Sequence, residues 1–260
     1  MTASPLRGHR VLVPRTRPGD PIAAAVRAAG AEPVPTALVR HAVADPAELD
    51  AALRRLAAGA YAWLAVTSAT TVEVLADRAA RLGTTLGGLT RGVPVAAVGP
   101  ATARALDEAG VAVALTPPGE SSAATLAAAW PAGHGRVLFP RSEIAGPTLA
   151  TALRERGWDV DDVVAYRTMP AEKPDPAVAA DLAAGRIDLV LLTSGSTARA
   201  LAGLYGAPAA RVCAIGAATA SAAAAAGLPV HAVAEEQTPA GLVAAAARAL
   251  TTTPQRSENR

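Results

Sequence analysis

The sequence is poor in the residues that usually announce chemistry. Cysteine occurs once, at Cys213, so no internal disulfide can form. That residue sits in the apolar run Val-Cys-Ala-Ile-Gly and reads as a core side chain rather than a nucleophile. Lysine also occurs once, at Lys173, and follows no glycine-rich loop, which excludes a P-loop. No GxGxxG follows a strand and no GxSxG elbow is present, so a nicotinamide or flavin fold of that type and a serine-hydrolase site are both unsupported. His9, His41, His134 and His231 are scattered without ligand spacing, so no metal site is expected. Nothing points to a cofactor. No apolar run reaches the roughly 18 residues of a membrane span, and no apolar signal core precedes the first strand-like run. The chain therefore reads as cytoplasmic, with no membrane partner.

What is present is mostly core material. Hydrophobic residues make up 51% of the 260 residues, against 18% charged, and much of the apolar share is alanine. The 24 basic and 22 acidic residues leave a net charge of only +2, which gives no global pull toward nucleic acid. Nearly all of the basic residues are arginine. That bias reads either as genomic base composition or as bidentate pairing of a few arginines with carboxylates or phosphates.

Short β-rich runs alternate with alanine-rich helical stretches. The run Arg10–Val13 precedes a predicted helix near Asp20–Ala29, with Pro21 in its first turn and Gly30 as its stop. The segment EPVPTALVR reads as an edge strand or a linker because of its prolines. Further pairs follow: a helix from Asp45-Pro46, the strand Ala62–Val66 with a helix from about Thr70, the strand Val93–Val98 with a helix from Pro100, and VAVAL with a helix from Ser122. Such alternation predicts parallel sheets with right-handed crossovers.

The second half repeats the first. Pro14-Arg15-Thr16 returns 126 residues later as Pro140-Arg141-Ser142. Thr67-Ser68 returns as Thr193-Ser194, and Gly99-Pro100-Ala101-Thr102 as Gly216-Ala217-Ala218-Thr219. Glu120-Ser121-Ser122 returns as Glu236-Gln237-Thr238. Each shared loop follows a strand and opens a helix, so it lies at the carboxyl edge where open α/β sheets bind ligands. Its hydroxyls cap the helix, and its backbone N–H groups can meet an anion, favoured by about 0.3–1 kcal/mol from the helix dipole. Any one of Ser68, Ser194, Thr102 and Thr219 also reads as a plain helix start. Four at matched positions point to a ligand held by main chain and hydroxyls.

The ordered set VLVPR, VTSATTVEVL, VAAVGPATARALDEAG, LFPRSEIAGPTLATALRERGWDVDDVVAYRT, LVLLTSGSTARAL, CAIGAATASAAAAAGLPV and TPAGLV resembles the uroporphyrinogen-III synthase family over about residues 8–250. The stretch from Gly157 to Arg167 is the most telling part. Two loops depart from the family: the second TS loop reads Thr193-Ser194-Gly195-Ser196, and the second GxxT loop has lost its proline.

The resemblance implies two pseudo-equivalent parallel-sheet α/β domains, one of them discontinuous. An extended two-stranded linker joins them, and the active-site cleft lies between them. The discontinuous domain would hold residues 1–36 and 170–252 and the inserted domain 41–166, with linkers near Thr36–Arg40 and Ala165–Ala171. It implies a cofactor-free lyase that cyclises hydroxymethylbilane, a linear tetrapyrrole, with loss of water and inversion of the last ring, in a monomer. Tyr166 is then the catalytic candidate, able to protonate or hydrogen-bond the departing hydroxyl; the other reading is a tyrosine packed at a strand end. Gly99, Thr102, Gly216 and Thr219 would be substrate-binding positions of the cleft, and Thr67, Ser68, Thr193 and Ser194 would bind carboxylates. Arg15, Arg141 and Ser142 would do the same after the first strand of each copy, although both arginines also read as surface salt bridges. Trp63 and Trp158 read as core, and Tyr61 and Tyr205 have no assigned role. The rivals are an exported solute-binding protein or a non-catalytic sensor for an anionic small molecule. The polar tail TTTPQRSENR reads as disordered.

Overall fold

The computed structural model describes residues 4–16 and 19–251. The tail expectation lies outside them from residue 252 onward. The elements in chain order begin with β1 (Arg10–Val13), α1 (Pro21–Ala28), β2 (Glu32–Pro35), β3 (Val39–Val43), α2 (Pro46–Ala57) and β4 (Trp63–Val66). They continue with α3 (Ala69–Arg81), α4 (Leu86–Leu89), β5 (Val95–Ala97), α5 (Pro100–Glu108), β6 (Val113–Leu115), α6 (Ala123–Ala129) and β7 (Arg136–Ser142). The last are α7 (Thr148–Glu155), β8 (Asp159–Pro170), α8 (Pro176–Ala183), β9 (Leu189–Leu192), α9 (Gly195–Tyr205), β10 (Arg211–Ala214), α10 (Ala217–Ala225), β11 (Val230–Val233) and α11 (Pro239–Thr251).

Two compact units result. One takes the chain as far as Arg40 and again from Met169; the other is His41–Thr168. The first holds a parallel sheet in the order β11-β10-β9-β1-β2. The second holds β3-β8-β7-β4-β5-β6. Without β3, the two orders are the same, 2-1-3-4-5 when each unit's strands are counted from its own first βα unit. This is a flavodoxin-like doubly wound sheet with its switch point between strands 1 and 3.

The duplication is thereby regrouped. The first βα unit of copy one (β1–β2) joins the later strands of copy two (β9–β11), while β7–β8 joins β4–β6. β3 and β8 carry the chain between the units. The Ala171 N–H donates to the Leu38 carbonyl (2.9 Å) and the Ala44 N–H to the Ala165 carbonyl (3.3 Å), the descending pattern of antiparallel strands.

Each sheet is buried on both faces, as parallel sheets require. Alternate residues of one strand enter opposite cores. Leu64 and Val66 pack with Leu53, Leu75 and Leu106 from α2, α3 and α5, whereas Ala65 faces Leu126, Leu149 and Leu153 from α6 and α7. Likewise Val11 and Val13 meet α1 and α11, whereas Leu12 meets Val178 and Leu201. Pro33 and Pro35 lie in β2, an edge strand, where a missing N–H costs least. Cys213 is fully buried in β10, and burial pushes its thiol up to about 12. Trp158 belongs to the core beside Trp63 and Trp130, with ring centroids 5.2 and 6.4 Å apart along the trio.

Asp50 on α2 and Arg78 on α3 form a two-pronged ion pair (2.9 and 2.6 Å) with both side chains about 85% shielded. The Arg78 guanidinium holds the Asp50 carboxyl below its ordinary value. A carboxylate with a depressed folded-state pKa contributes stability above the unfolded value and loses it as pH falls through the folded one. Asp50→Ala should therefore cost about 2 kcal/mol at neutral pH. In urea denaturation at a series of pH values, the gap from wild type should close below about pH 4.

Candidate functional site

The repeated loops follow parallel strands, or in Pro140-Arg141-Ser142 form the end of one, and so gather at the carboxyl edge of their own sheet. In the unit His41–Thr168, the switch point lies between β7 and β4, which pair directly. Ser142 ends β7, Thr67 and Ser68 follow β4, and Gly99 follows β5 one strand further on. Tyr166 stands in β8 in register with Ser142, which places it at the same edge.

The Tyr166 ring is 5% exposed and packs with Leu75 and Val66. Its hydroxyl lies 3.4 Å from Ser68 Oγ, a long contact in which either oxygen can donate. Ser68 caps α3 and accepts from the Thr70 N–H at 3.1 Å. A buried phenol thus meets the positive end of a helix. The other face of Tyr166 meets His41 of β3, edge to face, with ring centroids 5.1 Å apart. The His41 Nδ1 sits 3.3 Å from Thr168 Oγ1. Burial pushes the imidazole below its usual pKa, while Glu73 on α3 pulls the other way.

The equivalent TS loop of the other unit is built differently. Ser194 caps α9 in a closed box: its Oγ accepts from the Thr197 N–H and the Thr197 Oγ1 accepts from the Ser194 N–H, both at 3.2 Å. Thr193 stands beside it, half-buried. That hydroxyl pair satisfies itself, whereas Ser68 has a tyrosine as its neighbour.

The GxxT loops match more closely. Gly99 and Gly216 cap α5 and α10 and have no side chain to cap with, so the first-turn N–H groups have no side-chain acceptor. Thr102 and Thr219 are buried in those first turns (4% and 6% exposed). Neither hydroxyl bonds to another described residue. Both glycines are extended (φ −178° and −176°), so backbone strain does not demand glycine. Close approach does. A Cβ on Gly99 would meet Ser121 Cβ at 2.6 Å, and one on Gly216 would meet the Gln237 amide nitrogen at 3.1 Å. Ser121 and Gln237 belong to the fourth repeated loop. The sequence shows their correspondence but not their lid-like seat on the glycine caps.

The two arginines also diverge. Arg141 donates from Nε to Asp162 Oδ1 at 2.5 Å and from Nη1 to the carbonyls of Ser142 and Ala145 at 3.1 and 3.2 Å. Its side chain is 18% exposed. It braces its own loop, the salt-bridge alternative of the sequence reading. Arg15 is 42% exposed and, among the described residues, approaches only Asp20, at 3.6 Å. Asp20 is buried, caps α1 through Oδ1, and leaves Oδ2 without a hydrogen bond. The Ser142 hydroxyl is likewise buried without a partner.

Other candidates serve structure. Tyr61 donates to Asp161 and accepts from Arg55 Nε (3.0 Å), before β4 and so at the amino end of the sheet. The Tyr205 hydroxyl accepts from the Asp175 N–H at 2.8 Å. Among the described residues no cluster of His, Cys, Asp and Glu can hold a metal ion, and no helix is long and apolar enough to cross a membrane. His41, Thr168 and Glu73 escaped the sequence reading. For His41 and Thr168 the only signal is the pairing of β3 with β8, which no local spacing reveals; Glu73 comes from α3.

These features define a class: a duplicated doubly wound α/β protein with hydroxyls and open helix N-termini at the carboxyl edge of each sheet. A sequence model described as uroporphyrinogen-III synthase HemD matches residues 20–244. Uroporphyrinogen-III synthetase from Helicobacter pylori has the same fold, with a TM-score of 0.62 at 18% identity, over 92% of this chain and 97% of that one. A mutant uroporphyrinogen III synthase from the extremely thermophilic bacterium Thermus thermophilus gives 0.56 at 23% identity, over 94% and 99%. A search of curated proteins finds no match. The chain belongs to the uroporphyrinogen-III synthase family, lyases of haem biosynthesis acting on a small-molecule tetrapyrrole.

The glycine caps give a test. Gly99→Ala should destabilise by about 1–3 kcal/mol through overpacking against Ser121, and Gly216→Ala by clearly less. Thermal melts of Gly99→Ala with and without Ser121→Gly check the cause, since the second change should restore most of the loss.

Proposed function

We propose that this chain closes hydroxymethylbilane to uroporphyrinogen III, with loss of water and inversion of ring D, and that Tyr166 is the side chain that meets the departing hydroxyl. The observation that carries this reading is the Tyr166 phenol, buried at the carboxyl edge of its sheet and aimed at Ser68 Oγ, 3.4 Å away, on the cap of α3.

The chemistry needs a proton where the hydroxyl leaves, and a phenol beside a helix N-terminus can give one. The proton released on ring closure restores it. General acid help of this kind is worth about 10²–10⁴-fold. The linear substrate also closes unaided to the uninverted isomer, so product choice matters as much as speed. A preference of about 99:1 requires roughly 2.7 kcal/mol of differential transition-state stabilisation. Fixing a flexible polyanion in one bent shape can supply it.

The acetate and propionate groups suit the open N–H groups of α5 and α10 and the hydroxyls of Thr67, Thr102, Thr193 and Thr219. Ser194 contributes as a cap, and Gly99 and Gly216 by leaving room for the chain above them. Arg15 is the arginine for a substrate carboxylate, because its guanidinium is half exposed and, among the described residues, has one distant partner. Arg141 acts through the loop it holds, with Ser142 at its start. The enzyme works as a cytoplasmic monomer without nucleic acid or membrane.

The decisive assay supplies fresh hydroxymethylbilane and separates the isomers. Uroporphyrinogen III is expected; only the uninverted isomer would mean a binding or sensor protein. Tyr166→Phe should lower kcat by about 10²-fold with KM little changed, and wild-type turnover would remove Tyr166 from the mechanism. Arg15→Ala should raise KM, with a smaller loss of Tm than Arg141→Ala because its contact with Asp20 is long. Arg141→Ala should lower Tm, since it strands a shielded Asp162 carboxylate. Steady-state kinetics and thermal melts separate the two.

A further inference from the structure

We propose that His41 is a positioning residue for the reaction, fixing the Tyr166 ring so that its hydroxyl stays on Ser68. This rests on the reading of Tyr166 as catalytic.

The geometry is cross-strand. The bonds Ala171 to Leu38 and Ala44 to Ala165 set the β3–β8 register so that His41 lies opposite Thr168. Tyr166, two residues before Thr168, shares its face of β8 and is the diagonal neighbour of His41, within reach of a ring. Both contacts are made. The imidazole meets the phenol ring at 80° between planes, with centroids 5.1 Å apart. Its Nδ1 is steered by the Thr168 hydroxyl at 3.3 Å.

The tyrosine ring needs such a wall. The ring belongs to the core that also holds Leu75 and Val66, but the only hydrogen bond of its hydroxyl is the long one to Ser68 among the described residues. A contact of that length sets direction weakly. An edge-to-face neighbour fixes the ring plane, and because a phenol O–H prefers to lie in that plane, it sets the direction in which the hydroxyl donates. The imidazole is exposed on its outer side; desolvation where it packs lowers its pKa, and Glu73 pulls the other way.

Steady-state kinetics on hydroxymethylbilane test this with His41→Ala, His41→Phe, Tyr166→Phe and the double variant His41→Ala/Tyr166→Phe. His41→Ala should lower kcat about ten-fold with KM within two-fold. His41→Phe, which keeps an aromatic edge, should recover kcat to within about three-fold. In the Tyr166→Phe background, His41→Ala should have no further effect, because the oxygen it orients is gone. Thermal melts identify any variant that fails to fold, and the His41→Phe comparison then stands alone. Wild-type kcat in His41→Ala, a change confined to KM, no rescue by His41→Phe, or a full additional loss in the double variant would each overturn the proposal. If Tyr166→Phe is slow while His41→Ala is normal, only this inference fails; wild-type turnover in Tyr166→Phe removes the reading beneath it.

Discussion

Strand direction is the constraint on which the rest depends. Within each unit the doubly wound strands run the same way, so every loop that follows one of them is delivered to a single edge. Arg15, Ser194 and Thr219 are far apart in sequence yet share the carboxyl edge formed by β1, β9 and β10. Arg141, Ser68 and Thr102 share that of β7, β4 and β5. Reversing any strand would carry its polar loop to the opposite end, where the Tyr61–Arg55–Asp161 group already stands. The same constraint buries both faces of each sheet, which explains why a chain so rich in alanine and leucine spends its few polar side chains on loops.

Duplication supplied two equivalent edges, and their chemistry has since separated. One TS loop closes on itself through the Ser194–Thr197 box, while the other leaves Ser68 against a phenol. One arginine is locked into its own loop by Asp162; the other is held only loosely over Asp20. The glycine caps kept their role but changed the residue packed on them, serine in one copy and glutamine in the other. In each case the place at the carboxyl end of a strand is shared and the side-chain partner differs. A helix cap tolerates such exchange because its main requirement, an oxygen or a free N–H at the first turn, is met by several residue types.

The fold was largely legible before any coordinates. Alternating β and α runs, Asp20-Pro21 and Asp45-Pro46 as helix starts, and Gly30 and Gly110 as stops all reflect short-range physics written in neighbouring residues. The proline-rich segment left two readings open, and the sheet resolves residues 32–35 as an edge strand. The site was legible where it repeats. What the sequence hid depends on pairing between distant strands. Asp162 meets Arg141 only because β8 lies beside β7, and His41 reaches Tyr166 across 125 positions because β3 runs back along β8. Trp130 escaped for the same reason: its partners Trp63 and Trp158 come from β4 and the turn before β8. Residue type and spacing report local structure well, and say little about which strands become neighbours.

The aromatic poverty of the chain has a practical consequence. Trp63, Trp130 and Trp158, the only tryptophans, all lie in the unit His41–Thr168, whereas the only thiol, Cys213, lies in β10, inside the other sheet. Intrinsic fluorescence therefore follows the melting of one unit, and trapping by an alkylating reagent follows the opening of the other. While folded, a fully buried thiol with its pKa near 12 is inert; once β10 is exposed, it regains ordinary reactivity. Without any added label, the molecule carries separate optical and chemical reporters on its two halves, and comparing them tells whether the halves melt as one cooperative body or as two.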